Sequence, residues 1–249
     1  MIILAIETTT SVESLALVAE SRILAEVSFD NSLSHSTRLM KNIDYLLKSA
    51  SLAMADISGV AVSGGPGSFT GLRVGFSLAK GLAYAAKKPF LPVPTLDAFA
   101  FSVCRLEGGV TEKKLKGSPE RVFCPLIDAR KNEFYFSAYA EGRGTLVKLL
   151  KEDALSSKEL LEKLKGLNAD KYYFFGNGLV KCGGEIKKTL KSAGFLDAVP
   201  RASSVGALAL LKLAQGSIPD FEKALPFYIR KPDAVINKEA KALGQKCRK

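Results

Sequence analysis

The chain has 249 residues and is 47% apolar, enough to fold as one large domain or two small lobes and too much for a disordered segment. No apolar run approaches the ~18 residues of a membrane span; four cysteines without a CxxC pair indicate a reduced, cytosolic setting; and a single histidine, His35, excludes paired-histidine zinc sites and argues against a Ser/His/Asp triad. The net charge of +11 leaves two readings open, attraction to a polyanion or a solvated basic surface with a basic tail.

The opening MIILAIETTT lacks a basic leader and a small-residue cleavage site. Its first residues are apolar on both faces, as in a central strand. SLALVAE and RILAEVSF follow closely, and the second alternates, with Ile23, Ala25, Val27 and Phe29 on one face. Three strands joined this tightly predict an antiparallel meander. Leu39, Met40, Ile43, Leu46, Leu47 and Ala50 recur at helical spacing and predict an amphipathic helix over 36–50. ISGVAVSGG reads as another strand, and GGPGSFTGLRVGFSLAKGLA turns a glycine-rich corner into a long helix over about 69–85.

The same order recurs in the second half. RVFCPLIDAR ends in Asp128 where the first strand ends in Glu7. NEFYFSAYAE alternates, and TLVKLL is short and apolar. SSKELLEKLKGL opens with Ser156 and Glu159 in capping-box spacing. KYYFFGNG is a strand with a glycine exit, followed by a basic helical stretch. Pro125 weakens the first strand of this half, because proline donates nothing to a ladder. The expected lobes are 1–100 and 101–202, with a helix at 203–216 returning to the first lobe and a basic, mobile tail at 233–249. Repeated βββαβα units resemble the actin, Hsp70 and sugar-kinase superfamily, so the expected fold class is α/β, two-lobed and actin-like.

The glycine corner suggests phosphate, but it is not a P-loop: Leu72 follows Gly71 where Lys is required. Nor is it a dinucleotide fingerprint, since Thr70 holds the third glycine position. Gly67, Gly71, Gly75, Ala79 and Ala83 instead form a row of small residues four apart, which lets another backbone approach. Phe69, Leu72, Val74, Phe76, Leu78 and Leu82 fill most of the remaining circumference. Only Thr70, Arg73, Ser77 and Lys80 are polar. Such a helix needs cover on nearly every side. Either its own sheet and the 36–50 helix supply all of it, or a partner protein completes an outer apolar face. On the second reading, Gly75→Arg blocks pairing and leaves the subunit folded.

GGPGSFTGLRVG after SGVAV, IETTTSVESLAL, HSTRLM, DARKNEFY, GNG at 176–178 and PFYIRKPDA resemble the bacterial TsaB (YeaZ) family over almost the whole chain, to about Asp233. That resemblance implies an actin-like fold without catalytic residues of its own. It implies pairing with TsaD, which transfers a threonylcarbamoyl group to the adenosine beside the anticodon of tRNAs reading ANN codons, and work alongside the ATPase TsaE. The implied pairing surface lies on the two first-lobe helices, at Leu39, Met40, Ile43, Leu46, Leu47, Phe69, Thr70, Gly71, Leu72, Arg73, Gly75, Phe76, Ala79 and Lys80. The same surface is expected to make homodimers when TsaD is absent.

TsaD-like catalysts hold a metal with two helical histidines four apart. Here His35 matches the first and Leu39 stands at the second, so no metal site is expected. Thr8, Thr9 and Thr10 with Asp128 are candidate nucleotide contacts, and Glu7 with Asp128 is a candidate for water-mediated Mg²⁺. The other reading is a hydroxyl-rich turn satisfying its own backbone. ATP or ADP with Mg²⁺ is therefore expected at the level of a complex rather than on this chain alone. Arg130, Lys131, Arg230 and Lys231 either meet partner or tRNA phosphate or form surface ion pairs. A stand-alone actin-like ATPase or kinase is the alternative function, with a peptidase behind it.

Overall fold

A computed structural model describes residues 1–20, 22–30, 38–107, 118–142 and 145–230. His35, Lys231 and the tail at 233–249 lie outside the described residues. The first half runs β1 (Ile2–Glu7), β2 (Val12–Ala19), β3 (Ile23–Asp30), α1 (Leu39–Ser49), β4 (Gly59–Gly65), α2 (Phe69–Ala86) and β5 (Phe90–Pro94). Helix α3 (Thr95–Leu106) leads into β6 (Arg121–Asp128), β7 (Glu133–Gly142), β8 (Thr145–Ser156), α4 (Ser157–Lys165), β9 (Lys171–Phe175), α5 (Leu179–Thr189), β10 (Ala193–Leu196) and α6 (Ala202–Ala214).

The two five-stranded sheets have orders β3-β2-β1-β4-β5 and β10-β9-β6-β7-β8. Read from β8, the second repeats the first. In each, the first strand is antiparallel to the second and parallel to the fourth. β1 and β4 are central and buried on both faces, as their unbroken apolar sequences require.

Alternation along β1 divides the first core in two. Leu4 and Ile6 point with Leu15, Leu17, Val60 and Val62 toward α1 and α2. Ile3 and Ala5 point with Ala16, Val18 and Ala61 toward α6. The last helix thus returns to the first sheet and covers the face opposite α1 and α2. α1 lies over β2 and β3, and α2 over β4 and β5. The capping box at Ser156 and Glu159 is formed: the Ser156 amide donates to Glu159 Oε2 at 2.9 Å.

Several elements extend the sequence reading. β5 carries Pro92 and Pro94 and occupies a sheet edge, where missing N–H donors cost least. β10 is a four-residue edge strand after the basic helix. β8 is twelve residues long, continuing TLVKLL through KEDALS. Pro125 sits in a central strand beside Phe175 of β9. The boundary placed near residue 100 falls inside α3. That helix sends Ala98 into the first core, while Leu96, Phe99, Ala100, Val103 and Cys104 join Phe123, Ile127, Tyr139, Tyr173 and Phe175 of the second sheet. No helix among the described residues is long and apolar enough to cross a membrane.

Candidate partner interface

α2 starts at Ser68, whose Oγ accepts from the Gly71 amide at 3.3 Å. Its first turns are sewn to the turn after β1. The Ser68 amide donates to the Thr9 carbonyl at 2.7 Å, and Thr8 Oγ1 donates to the Gly71 carbonyl at 2.8 Å. The close approach offered by the row of small residues is therefore taken by the chain's own backbone. A Cβ at Gly71 would lie 1.9 Å from the Thr8 carbonyl oxygen, one at Gly75 2.2 Å from Thr8 Oγ1, and one at Gly67 2.4 Å from Thr9 Cβ. Side chains at 71 and 75 point into this contact, so the expectation that Gly75→Arg leaves the subunit folded is overturned.

A second cover comes from the segment after α6. Phe221 packs edge-on against Phe90 at 6.0 Å between ring centroids and reaches Tyr84 at 6.0 Å. Lys80 Nζ donates to the Ala224 carbonyl at 3.1 Å. The Phe227 amide donates to the Gly64 carbonyl at 2.6 Å, and Tyr228 packs on Phe69 at 5.2 Å. Arg73 lies 3.8 Å over the Phe69 ring. Arg230 carries the segment to the second lobe, where it donates to the Ala129 carbonyl at 3.2 Å and pairs with Glu133 at 2.9 Å. Residues 221–230 are thus a strap along one flank of α2. PFYIRKPDA gave its composition but not this course.

The predicted pairing residues divide accordingly. Leu39, Ile43, Leu46, Leu47, Gly71, Leu72, Gly75, Phe76 and Ala79 are buried in the chain's own core. Phe69 and Lys80 are half-buried under the strap. Met40, Thr70 and Arg73 are exposed. The outer surface of the helix pair also includes residues that the sequence reading did not select. Tyr45 on α1 is 62% exposed and Tyr84 on α2 is 76% exposed, beside Met40 at 52%. Val74, Leu78 and Leu82 stand half-buried along the flank of α2 away from the strap. The helical wheel could have found both tyrosines: Tyr45 falls off the Leu39–Ile43–Leu46–Leu47 stripe, and Tyr84 follows Arg73 and Ser77 on the polar stripe.

The three hydroxyls of the threonine turn are engaged within the chain. Thr8, Thr9 and Thr10 are buried. One oxygen of buried Glu7 accepts from the Thr9 amide at 2.6 Å and from the Thr9 hydroxyl; the other accepts from Ser63 Oγ. Thr10 bonds Val12 of its own turn. The start of α2 packs directly on Thr8 and Thr9, so these two hydroxyls do not fit a phosphate. Asp128 belongs to the second lobe, where its carboxylate accepts from the Arg130 amide at 3.0 Å and pairs with Lys181 at 2.6 Å. Its own amide donates to Asn177 Oδ1 at 2.9 Å, which ties the GNG turn to the end of β6. Arg130 and Lys131 are exposed, with left-handed backbone at φ 64° and 52°.

The family model described as TsaD, tRNA N6-adenosine threonylcarbamoyltransferase, matches residues 23–238. The tRNA threonylcarbamoyladenosine biosynthesis protein TsaB of Bacillus subtilis is 29% identical, over 89% of this chain and 93% of its own. The protein of that name in Escherichia coli is also 29% identical, over 92% and 95%. The solved structure of YeaZ from Pseudomonas aeruginosa superposes with a TM-score of 0.74 at 26% identity, covering 91% of this chain and all of its own. The duplicated sheets are those of the two-lobed actin-like fold. The chain belongs to the TsaD family of tRNA N6-adenosine threonylcarbamoyltransferases, and within it to the TsaB (YeaZ) type.

Proposed function

We propose that this chain is a partner subunit in tRNA threonylcarbamoyladenosine biosynthesis, docking on TsaD through the outer surface of α1 and α2 and working with TsaE on tRNAs that read ANN codons. The observation that carries this reading is the exposed apolar set Met40, Tyr45 and Tyr84, beside half-exposed Val74, Leu78 and Leu82, on two helices covering one sheet face. Aromatic and methionine side chains of this kind are enriched at protein interfaces. The names of the relatives support the pathway. A spent threonine turn supports assigning nucleotide and chemistry to the complex rather than to this chain.

The test is Met40→Glu combined with Tyr45→Glu, both at exposed positions away from the strap contacts. Co-purification with TsaD from the same source is expected to fall by tenfold or more, on the order of 1.4 kcal/mol, with the thermal midpoint of the subunit unchanged. Pairing that survives the double change removes the interface reading. Calorimetry of the isolated chain with Mg²⁺-ATP is expected to show no tight binding. Tight binding lost on Thr9→Val or Asp128→Ala would turn the assignment to a stand-alone ATPase or kinase.

A further inference from the structure

A cavity of about 210 Å³ opens between the lobes, on the side of the first sheet opposite α1 and α2. One wall is the end of β5 with α3 and α6. The other is β7 and β8. Most of its lining is apolar and includes Phe101, Leu146, Leu208 and Leu211. Its volume lies below the ~300 Å³ at which drug-sized sites begin, so an occupant has fragment dimensions.

The charges in this cavity are unequally served. Asp97 accepts from the Tyr139 hydroxyl at 2.7 Å and pairs with Lys148 at 2.8 Å. Lys148 also pairs with Glu152. Lys212 differs. Among the described residues its ammonium makes one long hydrogen bond, to the Pro92 carbonyl at 3.5 Å, and no carboxylate lies at ion-pair distance, although Asp97 attracts it and Lys148 repels it from farther off. It is half-buried, and burial pulls its pKa below the usual lysine value. A desolvated cation at the edge of an apolar cavity gains most from an anion that brings its own apolar body.

We propose that this cavity binds a small organic carboxylate, with the carboxylate on Lys212 and the apolar body against Phe101, Leu146 and Leu208. Such a molecule touches α3 and α6 on one side and β8 on the other, so it bridges the lobes. The site is separate from the helix pair assigned to partner docking, and its test does not depend on that assignment.

Phenylacetate is the probe and phenylacetamide its uncharged isostere. Methyl NMR of the full chain is expected to show saturable shifts at Val93, Leu146, Leu208 and Leu211 with phenylacetate, at a dissociation constant on the order of 1 mM. Phenylacetamide is expected to bind about tenfold more weakly, and Lys212→Met to weaken phenylacetate by about tenfold. Gln215→Trp, at an exposed lining position, fills the opening and is expected to abolish the shifts even if Lys212→Met folds poorly. No saturable shift up to roughly twenty times the expected constant, equal binding of the amide, or binding unchanged in both variants overturns the proposal.

Discussion

Gly71 and Gly81 lie on the same helix, and the structure gives them opposite roles. A Cβ at Gly71 meets the Thr8 carbonyl, backbone that cannot swing aside, whereas one at Gly81 meets nothing within 4 Å. Gly71→Ala is therefore expected to lower stability by about 3 kcal/mol or more, because α2 must lift from the turn after β1. Gly81→Ala is expected to raise it by about 0.5–1 kcal/mol, through loss of glycine's freedom in the unfolded chain. Urea unfolding of the two variants checks both signs, and equal effects would remove the claimed asymmetry. The sequence made the row of small residues visible, because spacing by four defines a face. It could not say whose backbone uses that face, since the contact joins residues 8 and 71, 63 positions apart in the chain. The same limit applied to the threonines. Hydroxyls in a turn after a first strand suit a phosphate, and only the folded contacts show them engaged, Thr8 by Gly71, Thr9 by Glu7 and Thr10 by Val12.

The elements easiest to read were those whose hydrophobic period is complete within the element. α1, α2, α4 and the strands of both meanders are of that kind. β5, β10 and α3 were passed over for physical reasons. Two prolines mask β5, β10 is too short to show a period, and α3 is buried nearly all round and so shows no polar face. The strap was equally silent, because its order comes from contacts with α2 rather than from a period of its own. Lys80 holds it by donating to the Glu222 and Ala224 carbonyls, at 3.4 and 3.1 Å. Lys80→Ala is expected to loosen the strap without unfolding α2, whose core residues lie on the other side. The Phe227 amide, bonded to Gly64, is the reporter: its hydrogen exchange should quicken by about 5–30-fold, as for 1–2 kcal/mol of local stability. Unchanged exchange there would mean that the aromatic contacts of the strap and Arg230 hold it without Lys80.

At the scale of the molecule, the lobes are joined by α3, whose apolar side chains enter both cores, so they are not expected to unfold independently. A polar cluster adds to that join: Asp97 on α3 with Tyr139, Lys148 and Glu152 of the second sheet. Burial raises the pKa of Tyr139, with the Asp97 charge acting in the same direction, so its hydroxyl stays protonated and donates. Burial, the largest influence, would raise the pKa of Glu152, but its hydrogen bonds and the Lys148 charge together outweigh it and leave the carboxyl below its ordinary 4.5. A carboxylate whose folded pKa is depressed contributes stability above its unfolded pKa and loses that contribution as pH falls through the folded value. The net shift of Lys148 is upward, its two carboxylate partners overcoming burial, so its contribution is complete below about 10.5 and does not vary in acid. The expected consequence is a Glu152-dependent loss of stability that begins near pH 4.5 and grows below it. Urea midpoints of the parent and Glu152→Gln should differ at pH 6, with the parent more stable, and draw together as pH falls below 4.5. Parallel profiles across that range would show that the Lys148–Glu152 pair within β8 adds no stability in solution, leaving Asp97 and the apolar faces of α3 to hold the lobes together.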